Sequence, residues 1–384
     1  MIEEKKNYIN KLYDAIVDEI SISDTMLNKA INSYGAVGKW LGECDPDLDI
    51  KIMPQGSINL GTVIKPISDK DDYDIDLVCM LKNGNKMEAS EIKGIVGRRL
   101  KENKMYKEML EDEGRRCWTL QYEEFHMDIL PSVPKDVYYI EPENTAIRLT
   151  HKLDDGTYID KFSNPAKYKI WFEERMKRIL IESKSIFATK NQVEINQVPT
   201  YSVKTPLQKA IQLLKRHRDM MFSNDSSGVA PISIIITTLA AKAYNNERNV
   251  YDALEGILNR MASFIEVDEK GNYKICNPVM EEENFADKWT LVPEKAEAFF
   301  EWLKKAKEDI ITKPMIIEGT VEQSNAIKSC FGENVTNRAY NKIGEKTRKA
   351  RENQTLYANG LKGGLSVSEK KDSTKIQGHA FYGK

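Results

Sequence analysis

Cysteine and histidine are scarce in this sequence. Its 384 residues hold five cysteines (Cys44, Cys79, Cys117, Cys276, Cys330) and four histidines (His126, His151, His217, His379). No two cysteines form a CxxC pair and no histidine clusters with them, which argues against a disulfide framework and against a zinc finger. Long apolar runs are missing too. The longest, Val229 to Ala241, is interrupted by Pro231, Ser233 and two threonines, well short of the roughly 20 residues a membrane span requires. The opening MIEEKKNYINKL has no apolar stretch of the signal-peptide kind. Nor is one sign of charge in excess: 57 Lys and Arg oppose 59 Asp and Glu, a net charge of −2, so no global basic surplus marks a nucleic-acid coat. With 21 Gly and 13 Pro, collagen-like and low-complexity classes are excluded. These absences predict a reduced, cytoplasmic protein with no membrane partner.

What is present can build a substantial core: 41% of residues are apolar and 30% charged. The length predicts one large or two fused domains. Apolar positions at Ile9, Leu12, Ile16, Ile20, Met26, Leu27, Ile31, Val37, Trp40 and Leu41 recur every three or four residues. That period predicts helix, broken at the SISD segment 21–24. Extended segments follow at 49–53 and 73–81, a helix at 88–101, and two strands at 117–122 and 125–130, the second closed by Pro131. This order is α/β in character. Beyond residue 160 strand signals fade, and helices are predicted over 165–184, 206–222, 229–245, 250–265 and 293–307. Pro165 and Pro206 each stand at a first helical position. The division expected is 1–160, 161–340 and a tail at 341–384. Residues 338–384 carry eleven basic and four acidic residues, and their ending, LKGGLSVSEKKDSTKIQGHAFYGK, reads as flexible.

The chemistry concentrates in MPQGSINLGT at 53–62 and DDYDIDLVCML at 71–81. Asp74 and Asp76 are two apart in a strand and so emerge on one face. Adjacent carboxylates repel unless a cation lies between them, and hard oxygen ligands suit Mg²⁺ or Mn²⁺. Gly56 lets backbone approach a phosphate, and the Ser57 hydroxyl with a following helix N-terminus supplies donors. Asp128, in EFHMDILP, is the candidate third carboxylate if its strand neighbours that of Asp74 and Asp76. Two plainer readings compete. A DxD in an acidic loop is often solvated charge, although Ile75, Leu77 and Val78 point to a half-buried strand where unpaired acids are costly. A calcium loop starting at Asp72 fails, because Leu77 replaces the required glycine and Asn83 the required glutamate.

A Gly-Ser followed sixteen residues later by DxD, with a third Asp on a later strand, resembles the polymerase-β-like nucleotidyltransferase superfamily. QGS at 55–57, DYDIDLV at 72–78, FHMDILP at 125–131, LLKRHRD at 213–219 and PISIIITTLA at 231–240 look like the bacterial cGAS/DncV-like nucleotidyltransferases of anti-phage defence. The resemblance spans about 50–340. It implies an α+β fold, a mixed-sheet catalytic core joined to a helical domain like that of the oligoadenylate synthetases, with a cleft between two lobes.

It also implies roles. Gln55, Gly56 and Ser57 would match the triphosphate-binding segment, and Asp74, Asp76 and Asp128 the ligands of two Mg²⁺ or Mn²⁺ ions. Asp128 would also activate a 3′- or 2′-hydroxyl for in-line attack on an α-phosphate. Lys215 and Ser233 would match phosphate-contacting residues; the plainer reading makes Lys215 one exposed charge beside Arg216 and Arg218, and Ser233 a hydroxyl bonded to a backbone carbonyl. The implied product is a cyclic di- or trinucleotide made from NTPs, ATP among them. A linear polymerase, a transferase acting on RNA or protein, and a catalytically silent scaffold are the alternatives. The segment 277–289 suggests Phe285 and Trp289 packed at i and i+4 of a helix, and Tyr73 and Tyr201 are candidates either for base stacking or for ordinary packing. Activation by double-stranded DNA through a zinc thumb is not expected. The GHAFYGK ending resembles tails handled by ubiquitin-like conjugation machinery, so residues 370–384 are a candidate partner handle, for that machinery or for another operon-encoded regulator.

Overall fold

The computed structural model describes residues 2–43, 46–68, 72–191, 194, 203–359, 365–366, 369 and 373–376. Helix α1 (Ile2–Ile20) ends where the SISD segment predicts, and Ser23 caps α2 (Asp24–Gly42) by accepting a bond from the Met26 N–H. Strand β1 (Ile50–Gln55) then runs directly into a one-turn helix, α3 (Gly56–Leu60). The remaining elements of the α/β half are β2 (Tyr73–Leu81), α4 (Ala89–Glu102), α5 (Lys104–Met109), β3 (Trp118–Gln121), β4 (Phe125–Pro134), β5 (Ile147–Lys152) and β6 (Tyr158–Ser163).

These strands form one six-stranded mixed sheet in the order β1-β2-β4-β5-β6, with β3 also paired to β4. Only β2 and β4 run parallel. A parallel pair needs a long crossover, and the stretch containing α4, α5 and β3 supplies it. The first half of β2 alternates: Tyr73, Ile75 and Leu77 are buried, while Asp74 and Asp76 face the other way. Its second half is buried on both faces. Leu77, Cys79 and Leu81 join α2 and α4, and Val78 and Met80 meet Ile147 and Leu149 of β5. The carboxylate face of the sheet is thus open only at one end.

Pro131 does not close β4, which continues to Pro134. Along one edge of β4 the pairing to β3 ends at Ile129 and that to β5 begins at Ser132. Pro131 occupies the gap, where a missing donor is tolerated. β5 and β6 had no predicted counterpart.

The second half is helical: α6 (Pro165–Asn191), α7 (Pro206–Met221), α8 (Ser233–Ala243), α9 (Val250–Arg260), α10 (Glu294–Lys307), a π-helical turn at Glu308–Thr312, α11 (Lys313–Ile316), α12 (Thr320–Phe331) and α13 (Glu333–Glu352). Pro165 and Pro206 open their helices as expected. α8 starts four residues later than predicted, because Pro231 precedes it and Ile232 takes the cap position. The 277–289 segment is a strand followed by a 3₁₀ turn. Trp289 therefore packs on Tyr273, Phe299 and Phe300, and Phe285 on Tyr168, both in the core but not as a helical pair. Residues 341–352, expected in the tail, continue α13, where Arg338 and Lys342 pair with Glu19 and Asp18 of α1. The GHAFYGK ending and Tyr201 lie outside the described residues.

Two main cores result. One packs α2 and α4 on the sheet. The other gathers the helices of the second half around α1, which lies early in the chain yet buries Ile9, Leu12, Ile16 and Ile20 against them. Each such aliphatic side chain contributes about 1.5–3 kcal/mol of burial.

Candidate active site

The sheet register brings the three predicted aspartates together. Asp76 on β2 stands opposite Asp128 on β4, and on its other side opposite Gln55 at the end of β1. Asp74 stands opposite His126. On the far edge of β4, Thr119 pairs with Asp128 and its hydroxyl donates to the Asp128 carboxylate at 2.6 Å. That bond fixes the carboxylate from the side away from Asp76.

Gly56 follows immediately, with φ +65°, and a Cβ there would collide with the Asp76 carboxylate. Glycine is required twice over, for the left-handed backbone and for the close approach. Ser57 sits one residue into α3.

A cavity of about 430 Å³ opens over this face. One wall carries Gly56, Ser57, Asp74, Asp76 and Asp128, the other Lys215, Arg218, Asp219, Ser233 and Thr237, with residues 62–66 between them. Gln55 holds its ladder position but is not among the lining residues. Tyr73 touches the cavity, yet its ring packs on Phe125 at 5.5 Å and its hydroxyl donates to the Met26 carbonyl, an ordinary core role. Lys215 is not an exposed charge: only 6% of it is accessible, and its ammonium donates to the Thr62 carbonyl at 3.1 Å. The Ser233 hydroxyl opens α8 and accepts from the Arg218 guanidinium at 3.3 Å, rather than bonding a carbonyl.

Burial and like charge set the electrostatics. Burial first, then repulsion from Asp128 and Asp74, pushes Asp76 up to about 7, with Lys215 opposing. Burial and Asp128 likewise raise Asp74, against the pull of His126 and Lys215. Burial, then Arg218, lowers Lys215 to about 8, while Asp219, Asp76 and Asp74 oppose the shift. Acids raised by burial and then by one another are the signature of an uncompensated negative site. A divalent cation fits it: the donors are hard carboxylate oxygens on one sheet face, and the Cβ-free Gly56 leaves the Asp76 oxygens open.

A second group of potential ligands lies elsewhere. Among the described residues, His217, Asp309 and Cys330 are the three whose donor atoms all fall within 4.8 Å of one another. Asp309 is already bonded by Lys305 and Lys313 at 3.1 and 2.9 Å and by His217 at 3.3 Å. Two half-exposed ammonium groups already on this carboxylate make the site poorly suited to a further cation.

Sequence reasoning missed Arg218 and Thr119 as parts of the site. Arg218 left a signal, three residues beyond Lys215 on one helix face. Thr119 left none, since only the β3–β4 pairing brings it to Asp128.

A mixed sheet bearing two carboxylates on one strand and a third on its parallel neighbour, beside a Gly-Ser turn, defines a nucleotidyltransferase core. Similarity to known proteins narrows it. The profile of the Second Messenger Oligonucleotide or Dinucleotide Synthetase domain matches residues 8–152. The c-di-GMP synthase of Roseivirga ehrenbergii is 30% identical over 386 residues, covering 96% of this chain and 95% of the relative. The structure of the nucleotidyltransferase CdnG of Bradyrhizobium diazoefficiens, solved with GTP, superimposes with a TM-score of 0.70 at 18% identity over 88% of this chain and 99% of that one. The cyclic AMP-GMP synthase DncV of Vibrio cholerae gives 0.53 at 18% identity over 88% of each chain. The chain belongs to the cGAS/DncV-like nucleotidyltransferases, the enzymes that make cyclic oligonucleotide signals from nucleoside triphosphates with the help of a divalent metal. Among the described residues no helix is long and apolar enough to cross a membrane.

Proposed function

We propose that the cleft takes purine nucleoside triphosphates, GTP first among them, and joins two into a cyclic dinucleotide that serves as a second messenger in anti-phage defence. The observation that carries the site assignment is the β2–β4 register, which sets Asp128 directly beside Asp76. Preference for GTP over the ATP expected from sequence rests on the relative named a c-di-GMP synthase, similar along nearly its whole length.

In this reading Asp74, Asp76 and Asp128 would hold two Mg²⁺ or Mn²⁺ ions, which would supply charge neutralisation for the triphosphate. Asp128, steadied by Thr119, takes the proton of the attacking ribose hydroxyl. Gly56 and Ser57 present backbone N–H and hydroxyl donors to the phosphates, and Gln55 sets the strand end from which they project. Lys215 and Arg218 neutralise the donor phosphates from the helical side, and Ser233 orients Arg218. Attack on the α-phosphate releases pyrophosphate, and a second attack closes the ring.

The test is incubation with labelled GTP, ATP, CTP and UTP plus Mg²⁺ or Mn²⁺, followed by phosphatase. The expected result is a phosphatase-resistant product that needs GTP and disappears in Asp74→Asn/Asp76→Asn. A resistant product that persists in the double variant would overturn the assignment of the site. A product wholly sensitive to phosphatase would replace the cyclase with a linear polymerase.

A further inference from the structure

Helix α7 gives the cleft more than Lys215. Four of its side chains donate to backbone carbonyls of residues 60–66, the segment that follows α3 and lines the cavity. The Gln208 amide donates to Leu60 O at 2.9 Å, Lys215 Nζ to Thr62 O at 3.1 Å and the Gln212 amide to Val63 O at 2.6 Å. The Arg216 guanidinium spans Lys65 O at 2.7 Å and Pro66 O at 3.1 Å. Positions 208, 212 and 215–216 lie on one face of the helix, and all four side chains are buried.

The carbonyls need these donors. Residues 62–66 belong to no helix or strand, so no ladder satisfies them, and a buried carbonyl without a partner is costly. The segment is also tied to the phosphate turn, because the Thr62 N–H donates to Ser57 O at 2.8 Å. Gly61 completes the fit. Its φ is +68°, and a Cβ there would stand 2.5 Å from the Gln208 amide nitrogen.

We propose that Gln208, Gln212 and Arg216 are positioning residues, which hold the 60–66 carbonyls against α7 so that Ser57 and Lys215 face one triphosphate at a fixed separation. The proposal rests on the nucleotide reading above. It assigns different work to residues that sit side by side. Of the four donors Lys215 is the one that lines the cavity, and in this assignment its ammonium exchanges the Thr62 carbonyl for a phosphate. The other three then keep the segment in place without it. The same bonds join the two cores, since α7 is anchored in the helical core and residues 60–66 lead out of the sheet.

The experiment uses the full chain and the variants Gln212→Met, Arg216→Met and Arg216→Lys. Binding of a non-hydrolysable GTP analogue with Mg²⁺ is measured by calorimetry, with steady-state kinetics and thermal unfolding in parallel. Gln212→Met and Arg216→Met are expected to weaken analogue binding and to raise KM by about tenfold, and Arg216→Lys to recover most of the loss. Gln212→Met keeps the side-chain volume, so it carries the test if Arg216→Met does not fold. A lowered Tm with analogue affinity and KM within about twofold of the parent would reduce the contacts to packing and overturn the proposal. Failure of the nucleotide reading is seen separately, as cyclic product surviving in Asp74→Asn/Asp76→Asn.

Discussion

Asp76 is the residue where folding and function conflict most plainly. Its carboxyl titrates near 7 because it is buried beside Asp128 and Asp74, whereas in the unfolded chain it titrates near 3.9. A group whose folded value is raised binds its proton more tightly in the fold, so its contribution is full below about 4, is lost as pH rises from there through 7, and levels off above that. The metal-free protein should therefore unfold at higher temperature at pH 6 than at pH 8. At pH 8 Asp76→Asn should raise Tm by about 3 °C or more, and Mg²⁺ should raise the Tm of the parent more than that of the variant. Thermal unfolding with and without chelator measures all three. A Tm that is flat between pH 6 and 8 and unmoved by the substitution would mean the aspartates do not strain the fold.

At the scale of the element, α7 is built as an anchor. Thr205 is buried and its hydroxyl accepts from the Gln208 N–H, while the Gln208 Oε1 accepts in turn from the Thr205 N–H, and Pro206 opens the helix. This reciprocal cap satisfies two donors that a helix end otherwise leaves unpaired. It also fixes the Gln208 amide that reaches Leu60. Thr205→Ala should cost about 1–2 kcal/mol of stability, read from urea unfolding. Loss of less than about 0.5 kcal/mol would show that the cap is dispensable and that Gln208 is held by its bond to Leu60.

Across the whole molecule, the back of α7 is tied to the far helices through Asp309. Burial acts to raise its carboxyl, but bonds from His217, Lys313 and Lys305 outweigh that and hold it well below the usual range. A depressed acid stabilises the fold fully above its unfolded value near 4, and that contribution falls away progressively as pH drops from there toward its lower folded value. Asp309→Asn would take the carboxylate from the half-exposed Lys305 and Lys313 and from the buried His217, and a loss of about 1–2 kcal/mol is expected in denaturant unfolding at pH 7. The deficit of the variant relative to the parent should shrink as pH falls below about 4, where protonation of the unfolded chain's carboxyl removes the advantage of the folded carboxylate. An unchanged denaturation midpoint at pH 7 would show that the network contributes no stability.

How much of this was legible follows from where each signal resides. Local signals survive in sequence: the helix break at 21–24, Pro165 and Pro206 as first helical residues, alternation along Tyr73–Leu77, and the pairing of a Gly-Ser with a DxD. Each depends on chemistry within a few residues, so the chain alone determined the aspartate pair on one face and the boundaries of several helices. The tertiary structure decided whatever depends on which strand or helix is the neighbour. It set Asp128 opposite Asp76, brought Thr119 to Asp128, carried α1 into the helical core, and turned Lys215 and Arg216 from surface charges into buried donors. No periodicity encodes those placements, because a hydrogen bond between Arg216 and Lys65 spans 151 residues and depends on how the two cores pack.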